Sequence, residues 1–196
     1  MKKTAFRHAL WICALIFLGC DKTVDIMGEH KSNYHKILKS VSKEARFYGL
    51  ERVPYMTNVV YKSEPLERAY VLEYSQKYRF NEDEYKRMLE KVLTQIKDHE
   101  TFIIFHFANN DQSPKESSLN AWKLRLQFIG SDSTSRDDPE TVTLLPADDH
   151  SQYFYPQTSP WSKNYLVRFK KPNHAYEKIK LTMDSVSANL SFEWKK

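Results

Sequence analysis

Seven histidines, several acidic loops and one segment dense in tyrosine and tryptophan hold most of the side chains that could do chemistry in this 196-residue chain. Zinc needs three or four convergent ligands, and the H-E-x-x-H pattern supplies two of them from one helix face. His99 and His106 instead straddle a helix-to-strand junction, and Asp148-Asp149-His150 sets three ligand types side by side in a loop. Strand alternation puts His106 on one face with Phe102 and Ile104, the place of a hydrogen-bonded core histidine. No metal and no cofactor is expected. Asp132, Asp137-Asp138, Glu140 and Asp148-Asp149 carry the oxygens that calcium prefers, but without the D-x-[DN]-x-[DN]-G loop they read as solvated turns. Hydrolysis by paired carboxylates needs one acid held neutral and one ionised at a set separation, and the acids here lie in hydrophilic loops. There is no G-x-S-x-G elbow and no cysteine nucleophile. A Ser-His-Asp triad has no spacing rule that sequence alone would reveal. The chain reads as non-enzymatic, with a hydrolase as the less favoured alternative.

Two patterns suit binding instead. Segment 153–161 (YFYPQTSPW) offers Tyr153, Tyr155 and Trp161 as a stacking lip for a glycan or peptide ligand, since such rings give large contact at low entropic cost. The same segment would serve equally as a loop packed over the open end of a sheet sandwich. Lys123, Arg125, Arg168, Lys170, Lys178 and Lys180 fall on outward strand positions. On neighbouring strands they would form a basic face worth about 1 kcal/mol per charge near anionic headgroups. Lysines also keep sheet faces soluble and protect strand edges.

The first twenty residues carry a different chemistry. Lys2, Lys3 and Arg7 precede an apolar run, residues 9–18 (ALWICALIFL). About ten apolar residues match a signal-peptide core, whereas a spanning helix needs about twenty. Phe17-Leu18-Gly19-Cys20 follows, and it resembles the bacterial lipobox, with Phe17 where leucine is usual. The resemblance implies removal of residues 1–19, lipidation of Cys20 on sulfur and a second acylation of its new amino group with palmitate-type chains. Two chains anchor stably where one is marginal. The expected location is therefore the periplasmic side of a bacterial cell membrane. Asp21 implies retention at the inner membrane by the rule of enteric bacteria, the outer membrane being the other destination.

Removing the leader changes the electrostatics. It holds three basic residues and no acid, so the net charge drops from +5 to +2, and a nucleic-acid partner loses its main support. The other cysteine, Cys13, lies within the leader, so the mature chain has no pair for a disulfide. Residues 20–31 lack periodicity and read as a spacer, and residues 32–196 suffice for one domain with a sizeable core.

Within that domain Tyr34, Ile37, Leu38, Val41 and Ala45 recur at helical spacing, predicting a helix to about residue 43, while residues 44–48 could instead open a strand. Residues 53–62 (VPYMTNVVYK) predict a strand near an edge, with Tyr55, Thr57, Val59 and Tyr61 on one face. Ser63 and Pro65 open one helix, and Asn81 with Glu84 caps a second along Tyr85, Met88, Leu89, Val92, Leu93 and Ile96. These make a helical hairpin over about 64–99. Residues 101–108 (TFIIFHFA) are apolar on both faces and predict a central strand. Alternation predicts further strands over 122–128, 141–145, 165–170, 178–183 and 190–194, with loops at 131–140 and 147–152. The sum is an α+β fold: an antiparallel β-sandwich or curved sheet of six to seven strands with an inserted helical hairpin.

Lys43-Glu44-Ala45-Arg46-Phe47-Tyr48, Val59-Val60-Tyr61-Lys62-Ser63, Asn120-Ala121-Trp122, Pro156-Gln157-Thr158-Ser159-Pro160-Trp161 and Leu190-Ser191-Phe192-Glu193-Trp194 together resemble an uncharacterised group of bacterial lipoproteins. That group has no known activity, so the resemblance implies a fold and no functional residue. The expectation is a non-enzymatic interaction or structural domain, tethered through Cys20, with a protein or glycan of the cell envelope as partner.

Overall fold

The computed structural model describes residues 33–47, 55–108, 118–131 and 133–196. The leader, Cys20, Asp21, the spacer and Asp132 lie outside the described residues. Nine strands in two antiparallel sheets, four α-helices and one short 3-10 turn make up the described part, and neither sheet closes into a barrel. The chain is α+β, built on a sandwich.

The first helix, α1 (Tyr34–Val41), runs straight into strand β1 (Ser42–Phe47). The switch falls one or two residues before the predicted helix end. The Ser42 hydroxyl donates to the Leu38 carbonyl at 2.7 Å, and Ser42 takes an extended backbone, φ −84° and ψ 138°. What holds residues 42–47 extended is the edge of β2 (Tyr55–Tyr61), which they pair from Ser42↔Val60 to Phe47↔Tyr55. Strand β2 therefore lies second in its sheet, and the charged β1, with Lys43, Glu44 and Arg46, takes the edge where charge discourages further pairing.

Helices α2 (Glu64–Tyr78) and α3 (Glu82–Lys97) form the expected hairpin. Arg79 turns between them in the left-handed region, φ 54° and ψ 46°, the one described non-glycine residue with positive φ. Asn81 and Glu84 complete a reciprocal capping box, with bonds of 3.0 and 2.9 Å.

Strand β3 (His99–Ala108) is central in the order β1-β2-β3-β7-β6, with β6 at Thr141–Leu145 and β7 at Lys163–Lys170. The second sheet runs β5-β4-β8-β9, from β4 (Lys123–Ile129), β5 (Thr134–Asp137), β8 (Lys178–Asp184) and β9 (Asn189–Lys195). Sequence predicted a loop where β5 forms. Its Ser/Asp-rich residues lack an apolar alternation, and they become a strand by pairing with the open edge of β4 from Leu126↔Asp137 to Ile129↔Thr134. Strands β1 and β5 account for the excess over six or seven.

Period-two alternation sorts the central strands of the first sheet between two cores and turns one face of the second sheet to solvent. Tyr55, Val59 and Tyr61 of β2, Phe102 and Ile104 of β3, and Val167 and Phe169 of β7 face Leu124, Leu126, Phe128, Ile179, Leu181, Phe192 and Trp194 of the second sheet. The opposite face of the first sheet presents Val60, Ile103 and Phe105 to Tyr34 and Leu38 of α1, Leu66 of α2 and Phe154. Phe154 belongs to α4 (Asp149–Phe154), a helix where a loop was predicted. Its first turn is fixed locally by the Asp148 carboxylate accepting the Ser151 N–H at 2.7 Å, and its last residue is drawn into the second core. Among the described residues no helix is long and apolar enough to cross a membrane.

Candidate functional site

Helix α3 has the sequence of a core helix, yet no residue of it is buried. Tyr85, Met88, Leu89, Val92, Leu93 and Ile96, its whole apolar stripe, are only partly covered. The stripe packs on α2 along one side. The other side, Leu89, Leu93 and Ile96, forms one wall of an open groove of about 1430 Å³. Ile37 and Val41 of α1, Pro65 at the start of α2 and Trp194 of β9 supply the facing apolar surface. The Trp194 indole N–H donates to the Val41 carbonyl at 2.8 Å, joining the last strand to the end of the first helix at the groove floor.

Glu100 closes one end. It is 2 % exposed, three residues beyond the end of α3, and its carboxylate accepts from Tyr61 at 2.7 Å and from Tyr176 at 2.5 Å. Lys196 Nζ lies 2.8 Å from it and Lys171 Nζ 3.6 Å. Burial and then the neighbouring Glu100 charge push both tyrosine hydroxyls well above the ordinary range, so they remain donors at any physiological pH. One carboxylate oxygen thus accepts the Tyr61 hydroxyl, and the other meets the Tyr176 hydroxyl and the Lys196 ammonium, with Lys171 farther off. The cluster braces the groove.

Basic residues outnumber acidic ones along the groove, nine to four. On the helices Arg68 pairs with Glu64 at 2.7 Å, and Lys86 pairs with Glu82 at 2.5 Å. Lys97, Lys171, Lys178, Lys195 and Lys196 line the groove together with Glu100 and Glu193. Lys178 and Lys195 sit directly opposite on β8 and β9, a like-charge pair relieved by Glu193 at 2.5 Å from Lys178. That contact holds the Glu193 carboxyl below its usual range. Lys171 also donates to the Ile96 carbonyl at 2.6 Å, capping the negative end of α3.

The residues singled out from sequence lie elsewhere. Tyr153 is 37 % exposed on α4, its hydroxyl donates to Glu73 at 2.6 Å, and the Lys77 ammonium lies 3.2 Å above its ring. Tyr155 turns the other way, partly buried beside Phe105 at 6.1 Å. Trp161, 79 % exposed, stands on a turn closed by Ser159 and Ser162. The three rings do not share a cleft, and of the three Trp161 alone offers an open face. His106 is buried, stacked on Tyr55 at 6.1 Å with Nδ1 2.9 Å from the Thr57 hydroxyl. His99 pairs with Glu140 at 2.6 Å, and His150 meets the Tyr78 hydroxyl at 3.1 Å. Among the described residues no three His, Cys, Asp or Glu side chains converge as a metal would require.

The outward basic residues divide between the sheets. Lys123, Arg125, Lys178 and Lys180 share the outer face of β4 and β8, where Asp184 lies 3.5 Å from Arg125 and Glu193 3.7 Å from Lys180. Arg168 and Lys170 belong to β7 in the other sheet, and Arg168 lines a small cavity with Glu67 and Ile103 beneath the helices.

Sequence reading passed over Glu100, Tyr176 and the lysines at the chain's end. Glu100 sits in Asp98-His99-Glu100, which looks like the polar finish of a helix, and its burial comes only from Tyr61, Tyr176 and Lys196, up to 96 residues away. The apolar stripe of α3 was legible, but whether anything covers it was not.

Comparison with known proteins finds no matching family model, no similar curated protein and no similar solved structure.

Proposed function

We infer that this chain is a non-enzymatic binding domain, tethered to the periplasmic side of a bacterial membrane through lipid on Cys20, and that it binds its ligand in the groove beside α3. The observation that carries the binding reading is the stripe of Leu89, Leu93 and Ile96, left half-covered on a sixteen-residue helix that contributes no buried residue. Leaving that much apolar surface to water costs about 25 cal/mol for every Å², and such a surface marks a site that something else covers. Support for the tether is the leader sequence: a basic start, a short apolar run, and Gly19-Cys20. Support for the absence of catalysis is Glu100, the one buried carboxylate among the described residues lining the groove, which is engaged in structural contacts with Tyr61, Tyr176 and Lys196.

A neutral solvatochromic dye tests the groove. The full chain is expected to shift the dye's emission to the blue, and Leu93→Asp is expected to abolish the shift while leaving the melting temperature within about 3 °C. An unchanged shift in Leu93→Asp and in Leu89→Asp would move the binding surface elsewhere. The tether has its own test in Cys20→Ser: loss of metabolic fatty-acid labelling and release from membranes are expected, and retained labelling would sink the assignment.

A further inference from the structure

Taking the groove beside α3 as the binding site, we propose that its ligand is a single-chain anionic amphiphile, with the acyl chain along Leu89, Leu93 and Ile96 and the acidic head among Lys97, Lys195 and Lys196. The charge distribution argues for this occupant over a neutral one. The apolar wall of α3 ends at Ile96, next to Lys97, and the groove lining as a whole carries nine cations against four carboxylates. No ion pair among the described residues engages Lys43, Lys97 or Lys195, whereas Lys62 is matched by Glu67, Arg68 by Glu64 and Lys86 by Glu82. A site with an apolar wall and a net positive lining is complementary to a molecule that is apolar along its length and anionic at its head. Chain geometry agrees: from Lys86 to Lys97 the helix rises about 16 Å, the reach of an extended acyl chain rather than of a compact metabolite.

A head of carboxylate or of phosphate chemistry fits the same lysines, and the two sources are separated by competition. The probe is a diazirine-bearing hexadecanoic acid, photolysed with the full chain in its own membranes and mapped by peptide. Labelling within residues 82–97 is expected. Unlabelled fatty acids should compete about fourfold better for each added methylene, which is the factor that about 0.8 kcal/mol per CH₂ converts to. The alcohol of equal length should compete at least tenfold more weakly. Better competition by a fatty acid identifies a carboxylate head, and better competition by lysophosphatidic acid a phosphate head. Lys97→Glu combined with Lys195→Glu, both on the exposed rim, should reduce labelling at least tenfold without altering the melt.

Equal competition by acid and alcohol would overturn the anionic head and leave the groove reading standing. Labelling confined to other residues, together with an unchanged dye shift in Leu93→Asp, would overturn both. Displacement of the probe by an acidic amphipathic peptide but by no fatty acid or lysophospholipid would replace the lipid with a protein partner.

Discussion

Trp194 and Val41, 153 positions apart in the chain, are joined by an indole N–H to carbonyl hydrogen bond of 2.8 Å. The bond ties the edge of the second sheet to the helix that precedes the first, at the one place where both border the groove. Its ring also packs on Phe102 at 5.3 Å and Tyr61 at 5.8 Å. Trp194→Phe keeps most of that packing and removes the donor. A loss of about 1 kcal/mol is expected by denaturant titration with an unchanged slope, and Trp194→Ala should lose about 3–5 kcal/mol.

Glu100 is the most constrained ionisable group beside the groove. Removing its carboxylate leaves the buried Tyr61 hydroxyl without its acceptor and takes away the anion facing Lys171 and Lys196, so Glu100→Ala should cost about 3–5 kcal/mol. Tyr176→Phe removes a single donor to a charged acceptor and should cost about 1.5–3 kcal/mol. Thermal melts of the two variants check the order, and a Glu100→Ala variant as stable as the parent would contradict the bracing role.

Alkaline pH should unfold the domain through its buried and partly buried tyrosines. Burial raises the Tyr70 hydroxyl from 10.0 to about 12, and burial likewise raises Tyr34, Tyr61, Tyr155 and Tyr176. Each is neutral when protonated, and each holds its proton more tightly folded than unfolded. Their contribution is thus complete below pH 10 and declines as pH climbs from there through 12, by up to about 1.4 kcal/mol per pH unit for each tyrosine. Denaturant midpoints between pH 8 and pH 12, read beside tyrosinate absorbance, measure the slope, and Tyr70→Phe should flatten it.

Two backbone positions should respond in opposite senses. Arg79 ends α2 in the left-handed region at φ 54°, which costs an L-residue about 1–2 kcal/mol. Arg79→Gly should therefore stabilise the domain by about 0.5–1 kcal/mol after the added freedom of the unfolded chain is counted. At Gly130, which leaves β4, a methyl group would stand 2.7 Å from the Ala175 carbonyl. The neighbour is main chain and cannot swing away, so Gly130→Ala should destabilise by about 1–3 kcal/mol. Parallel thermal melts decide both.

Local chemistry was sufficient wherever a residue's structural role depends on its near neighbours. The capping box at Asn81 and Glu84, the early-helix Pro65 and the two-sided apolar run of β3 were all readable, and they determine the hairpin and the central strand. Alternation along β2, β4 and β8 likewise settled which side chains face the sandwich core. The proposed lipid anchor rests on sequence alone, on Lys2, Lys3, Arg7 and the run into Gly19-Cys20.

Tertiary structure decided whatever depends on a distant partner. Residues 134–137 and 42–47 carry no strong strand signal and extend because β4 and β2 offer free edges. The aromatic segment at 153–161 looked like one surface in sequence, but a short helix set Tyr153 and Tyr155 apart and left Trp161 on its own turn. Most consequentially, sequence periodicity gives a helix an apolar face without saying what meets it. For α3 only the placement of β9, α1 and Glu100 showed that half of that face opens onto a groove lined by an excess of basic residues, because coverage and net charge at a site are sums over residues far apart in the chain.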